Sequence, residues 1–489
     1  SPANAGSDAG ADPTPAASGT DSAGPDTSAT GPSTGAPGAE PSVAPAADGS
    51  ASGAGSAGAA KSQPSTASGK NAAAGASSNA GGQTQPNGAT AAGSATGPSP
   101  AGPGTPKPTP GTPAAPNPGN AAPPAASTPI IVASIGTQSG PAASTLKPVT
   151  DGAQLWTKFI NSKGGLNGHP VKLLIFDDAG DPARHRAQAQ DAIERQHAIA
   201  FLANSEPLTG EASVDYINSK GIPVIGTSGG TRWSYTSPMY FPQASDGDEF
   251  LYMGLAAVAD QVKDKHKLGY VTCAEASACH DANKLFGQHA QQFGFQVVYS
   301  GQASIAQPDY TAECLAARNA GVEIMMVVLD GNSVGRFAQS CARQGFKPQY
   351  ATIVTIVLDR FKDDPNLAGL VALSHVFPYF QTGTPMTDEY AAALKAYGGG
   401  LSNGVGLATG WTAGKLLERA AARIADPPTP QGILAGLWSI KNDNLGGLTY
   451  PLSFNQGKPA QPRGCWFNTA VKDGKWVSND GFKLHCLEG

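Results

Sequence analysis

The chain has 489 residues, and its 32 basic and 37 acidic side chains give a formal net charge of −5. Lysine and arginine are not clustered, which excludes the basic surface that nucleic-acid binding needs. The longest uninterrupted apolar run covers residues 324–329, whereas a membrane-spanning helix needs roughly 20 apolar residues. We therefore expect neither a nucleic-acid partner nor a transmembrane segment.

The N-terminal quarter of the chain differs in composition from the rest. It contains no Phe, Tyr, Trp, Leu, Ile or Met, and Val43 is the only side chain there with more apolar bulk than alanine or proline. Ordering each residue costs about 1–2 kcal/mol of backbone entropy, which so little apolar surface cannot offset. Residues 1–128 are therefore predicted to form a long disordered stalk, rich in Ala, Gly, Ser, Thr and Pro.

From residue 129 onwards, β-branched runs alternate with helical patterns. Strands are predicted, in chain order, at 130–136, 171–176, 199–202, 223–225, 268–272, 297–300, 324–329, 351–355 and 370–377. The clearest helices are a first one with Leu146, Val149, Ala153, Trp156 and Ile160 on one face, and others at 248–262 and 404–424. The C-terminus is predicted to be β-rich, at 448–454 and 465–477. This βαβ order predicts α/β lobes in which helices flank parallel sheets.

The length of the folded part predicts two lobes, because 361 residues exceed what one ordinary core holds. We assign residues 129–243 and 374–445 to lobe 1, and 244–373 and 446–489 to lobe 2. Since the chain then passes between the lobes more than once, we expect a hinged clam whose strand C-termini face the cleft.

All six cysteines lie in the folded part, and they are Cys273, Cys279, Cys314, Cys341, Cys465 and Cys486. Six cysteines allow 15 pairings, so pairing between neighbours is a preference that rests on local structure. Cys314 and Cys341 lie on successive predicted helices, and Cys465 and Cys486 flank a predicted hairpin. We expect at least these two pairs to be bridged.

Disulfides would place the chain in an oxidising, extracytoplasmic compartment. Six buried thiols in a cytosolic protein remain the alternative. Metal ligation would need spacings such as C-x-x-C, which are absent, and Cys279-His280-Asp281 alone supplies too few ligands. Neither a metal nor a cofactor is therefore predicted.

A set of short motifs points to a known family. Residues 159–168 read Phe-Ile-Asn-Ser-Lys-Gly-Gly-Leu-Asn-Gly, and the next strand ends in Asp177-Asp178 shortly before Asp181-Pro182. With these motifs, residues 129–489 resemble the type I periplasmic binding proteins that serve ABC importers of branched-chain amino acids, amides, urea and aromatic acids. The motif residues themselves are expected to have structural roles, with positive φ at the glycines and a helix cap at Asp181.

The resemblance implies that polar loops after the strands of both lobes hold the ligand. Lobe 1 would contribute Ser139, Ser205, Glu206, Ser228, Gly229, Gly230, Thr231 and Trp233. Lobe 2 would contribute His280, Asp330 and Thr355. Where amino-acid binders place an acid to meet the ammonium group, lobe 2 has residues 354–356, Val-Thr-Ile, although Asp330 could supply that charge from a neighbouring loop. The expected ligand is therefore a small carboxylate or amide, aromatic ones included, ahead of a branched-chain amino acid.

The function implied by the resemblance is that of an extracytoplasmic receptor. It would be monomeric, attached to the cell surface by a lipid anchor upstream of Ser1, and would deliver its ligand to an ABC permease. A ligand-sensing module for a membrane signalling partner is the alternative, since the same clam serves both roles.

An enzyme is the third hypothesis, because residues 226–230 satisfy the G-x-S-x-G pattern around Ser228. Asp330 and His375 follow in the order of a hydrolase triad. The pattern requires a helix directly after the serine, whereas residues 231–242 include two prolines and show no helical periodicity. We therefore expect a protein that is not an enzyme.

Overall fold

The computed structural model describes residues 127–487, so that almost all of the predicted stalk lies outside the described residues. The strands are β1 Ile130–Gly136, β2 Val171–Asp177, β3 Ala200–Asn204, β4 Val224–Thr227, β5 Tyr240–Phe241, β6 Lys267–Cys273, β7 Gln296–Ala303, β8 Ile324–Val328, β9 Gln349–Ala351, β10 Val371–Ser374, β11 Cys465–Lys472, β12 Lys475–Val477 and β13 His485–Cys486. The helices are α1 Ala143–Ser162, α2 Pro182–Glu194, α3 Val214–Lys220, α4 Glu249–Gln261, α5 Ser277–His289, α6 Thr311–Asn319, α7 Gly331–Arg343, α8 Pro385–Tyr397, α9 Val405–Ala421 and α10 Pro430–Ser439.

The strands form two sheets, and each sheet is the centre of a lobe. The first sheet has the order β2-β1-β3-β4-β5 and is parallel throughout. The second has the order β12-β11-β10-β9-β8-β6-β7, with β13 paired to β11. We call each sheet with the helices that pack on it the first and the second lobe. The exact residue boundaries between the lobes stay a prediction.

The two-lobed α/β class is confirmed, with one difference in the second lobe. Its strands β6 to β10 are parallel, whereas β11 runs antiparallel to β10 and pairs antiparallel with β12 and β13. The hairpin predicted between Cys465 and Cys486 is confirmed, with its turn at Asp473-Gly474, and it makes this sheet mixed because a hairpin joins antiparallel strands.

The first lobe is completed by helices from the C-terminal half, because α9 packs on α1 and on the strands β3 and β4. The crossing of α1 and α9 is close at two glycines. A Cβ on Gly152 would lie 2.1 Å from the carbonyl oxygen of Leu407, and one on Gly410 would lie 1.9 Å from that of Val149. Only glycine permits such an approach of two backbones.

The chain crosses between the lobes after β5, after β10 and before β11, and Ser245 ties these three connections together. Its hydroxyl accepts from the Cys465 amide at 2.8 Å and lies 3.0 Å from the Cys465 carbonyl oxygen. Its own carbonyl oxygen lies 3.0 Å from Nδ1 of His375. The hinge is thus a buried, hydrogen-bonded cluster.

Local expectations are met at some sites and missed at others. Asp181 accepts from the amides of Ala183 and Arg184 as an N-cap, and Gly165 has a φ of +81°. The predicted strand 351–355 is wrong beyond residue 351, because Val354–Ile356 forms a 3-10 turn. The predicted strand 448–454 is also wrong, since a single bridge from Leu452 to Asp443 is all that forms there. None of the described helices is long and apolar enough to cross a membrane.

Candidate functional site

A cleft lies between the lobes, where the loops after β3 and β4 face the loops after β6 and β8. It contains about 890 Å³ of empty space, part of which is open to solvent. Most of its wall is apolar, formed by Ala142, Leu146, Pro207, Leu208, Phe250, Leu251, Ala278, Ala282, Ile305, Val328, Leu329 and Ile356. Its position and lining match those of sites that enclose small organic molecules.

Hydrogen bonds join the two lobes across this cleft. At the start of α1, the Ser144 hydroxyl donates to Oδ2 of Asp330 at 2.7 Å. Beside it, the amide of Gly331 donates to Oγ1 of Thr145 at 2.8 Å. At another point of the cleft, the Arg232 guanidinium donates to Oδ2 of Asp281 at 2.7 Å. The structure therefore has the lobes in a closed arrangement.

Each charged side chain on the cleft wall already has partners. Arg232 also donates to Asp248 at 2.9 Å, and this hydrogen bond raises the pKa of its guanidinium further. The Asp330 carboxylate caps α7 by accepting from the amides of Asn332 and Ser333, at 2.9 and 3.2 Å. A ligand would thus find no unpaired charge among the described residues of this wall.

Neutral hydrogen-bonding groups line the cleft as well. Gly229 and Gly230 have φ angles of +98° and +76°, and a Cβ on Gly229 would lie 2.8 Å from the Phe250 ring. Neither glycine amide donates to another described residue. Thr355 lines the same cleft from the second lobe.

A buried carboxylate shapes the loop that carries these glycines. Asp246 accepts from the amides of Thr231 and Gly247 at 2.6 and 2.8 Å, and from the hydroxyl of Ser234 at 2.8 Å. It also accepts from the hydroxyl of Thr227. Burial raises the pKa of Asp246, while these hydrogen bonds oppose the rise. The loop geometry thus depends on one side chain that sequence analysis does not identify.

Three predicted site residues of the first lobe lie behind the cleft wall. The Ser205 hydroxyl donates to the carbonyl oxygen of Leu146 at 2.9 Å. The buried Glu206 carboxylate lies 2.7 Å from Nε2 of His185 and accepts from Trp233 Nε1 at 3.2 Å. Their polar atoms therefore form hydrogen bonds within the first lobe.

Other predicted residues are placed in three different settings. Ser228 and Thr231 flank the two glycines, and their buried hydroxyl oxygens have no hydrogen-bond partner among the described residues. Ser139 and His280 are exposed and lie off the cleft wall. Gly229, Gly230, Asp330 and Thr355 are the predicted residues that the structure brings together on the wall.

The triad suggested by the G-x-S-x-G pattern is not assembled. His375 is buried, with Nδ1 on the Ser245 carbonyl and Nε2 3.0 Å from Oγ1 of Thr409. Burial lowers its pKa to about 4. Asp330 is bonded to the start of α7, and the Ser228 hydroxyl meets neither residue in a hydrogen bond.

A cluster outside the cleft has residue types that can bind a cation. Asp260, Asp480 and His485 place their ligand atoms within 4.8 Å of one another. The Asn468 amide nitrogen donates to both carboxylates, at 2.6 and 3.3 Å, and its oxygen accepts from Trp466 Nε1 at 2.9 Å. The amide orientation is thereby fixed, and hydrogen bonding accounts for the cluster.

The described part of the chain matches a family model. The model for "Periplasmic binding protein" aligns with residues 129–475. This chain belongs to the periplasmic binding protein family. Members of this family are binding proteins, in agreement with a cleft whose polar residues do not form a triad.

Individual relatives of this periplasmic binding protein are distant. "Leu/Ile/Val-binding protein homolog 4" of Brucella abortus (strain 2308) is 23% identical over 284 residues, which cover 54% of this chain and 64% of that protein. The chain thus matches less than two thirds of that relative's length.

Solved structures share the fold. A solute-binding protein of an ABC transporter from R. palustris, in complex with benzoate, has a TM-score of 0.60 and 15% identity, covering 74% of this chain and 98% of that chain. A fatty acid ABC transporter substrate-binding protein from Thermomonospora curvata has a TM-score of 0.61 and 18% identity, covering 74% and 93%.

In this binding protein, sequence analysis misses the apolar cleft wall and four polar residues on it, Thr145, Arg232, Asp248 and Asp281. Asp281 could have been predicted as a cleft residue, because it directly follows the predicted site residue His280 in the Cys279-His280-Asp281 triplet. On α5, Ala278, Asp281 and Ala282 have the spacing i, i+3 and i+4, so they share the helix face that lines the cleft, whereas the exposed His280 projects from another face.

The three neighbouring cysteine pairs are bonded in the structure, and one of them is part of the site. Cys314 is joined to Cys341 between α6 and α7, and Cys465 is joined to Cys486 between β11 and β13. Cys273 is joined to Cys279, and both residues line the cleft.

Proposed function

We propose that this protein is an extracytoplasmic receptor that captures a small organic ligand in the cleft between its lobes and delivers it to an ABC importer. The observation that carries the proposal is the apolar cleft that both lobes enclose, closed by the bonds from Ser144 and Thr145 to the start of α7. An interior wall assembled from two hinged lobes suits capture and release of a whole molecule.

The proposed ligand is a small carboxylate or amide with an apolar, preferably aromatic, body. The wall supports this class because it is mostly apolar and offers neutral groups at Gly229, Gly230 and Thr355. An amino acid fits less well, because its desolvated ammonium group would meet carboxylates that already have partners, in Asp281 and Asp330.

A thermal-shift screen of aromatic carboxylates, amides, urea and amino acids tests both parts of this proposal. A ligand at 100 times its dissociation constant adds about 2.7 kcal/mol of stability. We expect this gain from an aromatic carboxylate or an amide. Stabilisation by leucine or valine alone would contradict the ligand class, and a screen without any hit would contradict the receptor function.

The hydroxyls of Ser228 and Thr231 allow a test of the first-lobe contacts. Because both are buried without a partner, Ser228→Ala and Thr231→Val should leave the free energy of unfolding unchanged or raise it. If these groups meet the ligand after a small adjustment, calorimetric titration of a confirmed hit will show weaker binding. Unchanged affinity in both variants would remove them from the site, and Ser139→Ala serves as the exposed control.

The proposed partner is an ABC permease, and the proposed location is the cell surface, with a lipid anchor upstream of Ser1. Family membership supports an extracytoplasmic site, and the three disulfides agree with an oxidising compartment. Genes for a permease and an ATPase beside this one would support import. A kinase gene in their place would support sensing.

A further inference from the structure

The Cys273–Cys279 disulfide differs from the other two in where it lies. It closes the short segment between the end of β6 and the first turn of α5, and both of its residues face the cleft. Cys314 and Cys341, by contrast, are fully buried between two helices of the second lobe.

The start of α5 lacks the usual support of a helix N-terminus. Its N-cap residue is Ala276, which provides no side-chain hydrogen bond. Glu275 anchors the preceding turn by accepting from the Ser304 hydroxyl and the Ile305 amide, at 2.6 and 2.8 Å. The disulfide therefore ties the first turn of α5, at Cys279, to the end of β6. Further along the helix, Asn283 is joined to β6 by hydrogen bonds with Tyr270 and Thr272, at 3.1 and 3.4 Å.

The first turns of α5 carry an interlobe contact. Asp281 follows Cys279 by two residues and receives Arg232 from the first lobe at 2.7 Å. Arg232 is at the same time held by Asp248 in the connection between the lobes. A shift of the start of α5 would therefore move the acceptor away from a guanidinium that Asp248 holds from the other side.

We propose that the Cys273–Cys279 disulfide is a positioning element of the cleft, which holds Asp281 within reach of Arg232 and thereby favours the closed lobes. Its bearing on ligand capture rests on the proposed function, whereas its effect on closure does not. A dithiol reductant that transfers two electrons and two protons to this bond leaves two thiols on the protein and a disulfide on the reductant. The reduced receptor closes less and holds its ligand less tightly.

The amide of Gly331 reports on closure without any ligand, because it donates across the cleft to Thr145. Its hydrogen exchange can be followed in the full chain by mass spectrometry. In the variant Cys273→Ser/Cys279→Ser, we expect this exchange to accelerate about two- to fivefold, the factor that corresponds to loss of one exposed ion pair. Asp281→Asn should have the same effect, and the combined variant should add little to it.

The control is Cys314→Ser/Cys341→Ser, which should lower the melting temperature and leave exchange at Gly331 unchanged. The proposal is wrong if the Cys273 variant exchanges at the wild-type rate, or if the control accelerates exchange as much. Should the Cys273 variant fail to fold, wild-type protein under dithiothreitol is compared with the oxidised protein, and unchanged exchange after reduction of this bond refutes the proposal. Because no ligand is needed, a failed ligand screen leaves this result intact.

Discussion

The two walls of the cleft are held in place by different chemistry. In the first lobe, the loops after β3 and β4 are built around two buried carboxylates that accept hydrogen bonds from residues of that lobe, Glu206 and, in the connection that follows β5, Asp246. In the second lobe, the segment after β6 is held by the Cys273–Cys279 disulfide, and its Asp281 pairs with the opposite lobe. The first wall is thus preformed by buried polar networks, whereas part of the second depends on a covalent bond and on closure.

The buried pair of His185 and Glu206 should give the largest effect on stability. His185→Ala removes the closest hydrogen-bond partner of the buried Glu206 carboxyl group, which costs about 1–3 kcal/mol, and it adds the cost of the cavity that the imidazole leaves. Urea unfolding measures this decrease in the free energy of unfolding. Lys147→Ala, which breaks an exposed pair with Asp151, should cost less than about 1 kcal/mol. Similar losses in both variants would show that the buried network does not hold the first wall.

Reduction of the disulfides should act on the second lobe alone. Each of the two longer loops, closed by Cys314–Cys341 and Cys465–Cys486, contributes roughly 3 kcal/mol in the chain-entropy model. Under a strong reductant we expect amide exchange to accelerate around the bonded cysteines, in α6, at the end of α7 and in β11, while α1 and α9 stay protected. Equal acceleration in both lobes would show that the lobes do not differ in this way.

The fold was largely predictable because β-branched runs and helical spacing report burial directly, as in β1 and α1. The wrong predictions of strands have physical reasons. The segment 448–454 has the apolar residues of a strand, but its neighbours offer it a single bridge. At the cleft, the positions of Gly229, Gly230 and Asp330 on the wall could be predicted because these residues follow strands, whereas their contact with a ligand stays a prediction.

The rest of the site could not be read from the sequence, because it depends on contacts between distant segments. Arg232 meets Asp281 only when the two lobes are folded and closed. Likewise, Glu206 has the appearance of a ligand contact in a polar loop, and nothing local shows that His185 lies against it.

The hinge between the walls should lose stability in acid. Burial lowers the pKa of His375 from 6.5 to about 4, so the folded state binds fewer protons than the unfolded state between these values. The full stability is present above pH 6.5 and falls as the pH is lowered towards 4. At pH 5 the loss in the free energy of unfolding is about 2 kcal/mol. Thermal unfolding of His375→Gln should show a flatter pH profile in this window. The exposed control His280→Gln should keep the pH profile of the wild type. If His375→Gln also keeps that profile, the hinge does not respond to acid.

The central claim is that a ligand binds between the two walls, and a variant that fills the cleft tests it most directly. Ala278 lines the cleft, whereas Ala392 lies exposed on α8, so Ala278→Trp and Ala392→Trp form a matched pair. With the best carboxylate or amide from the screen at 100 times its dissociation constant, wild type and Ala392→Trp should each gain about 2.7 kcal/mol. Ala278→Trp should gain almost nothing. A full gain in Ala278→Trp would place the ligand outside the cleft and contradict the account.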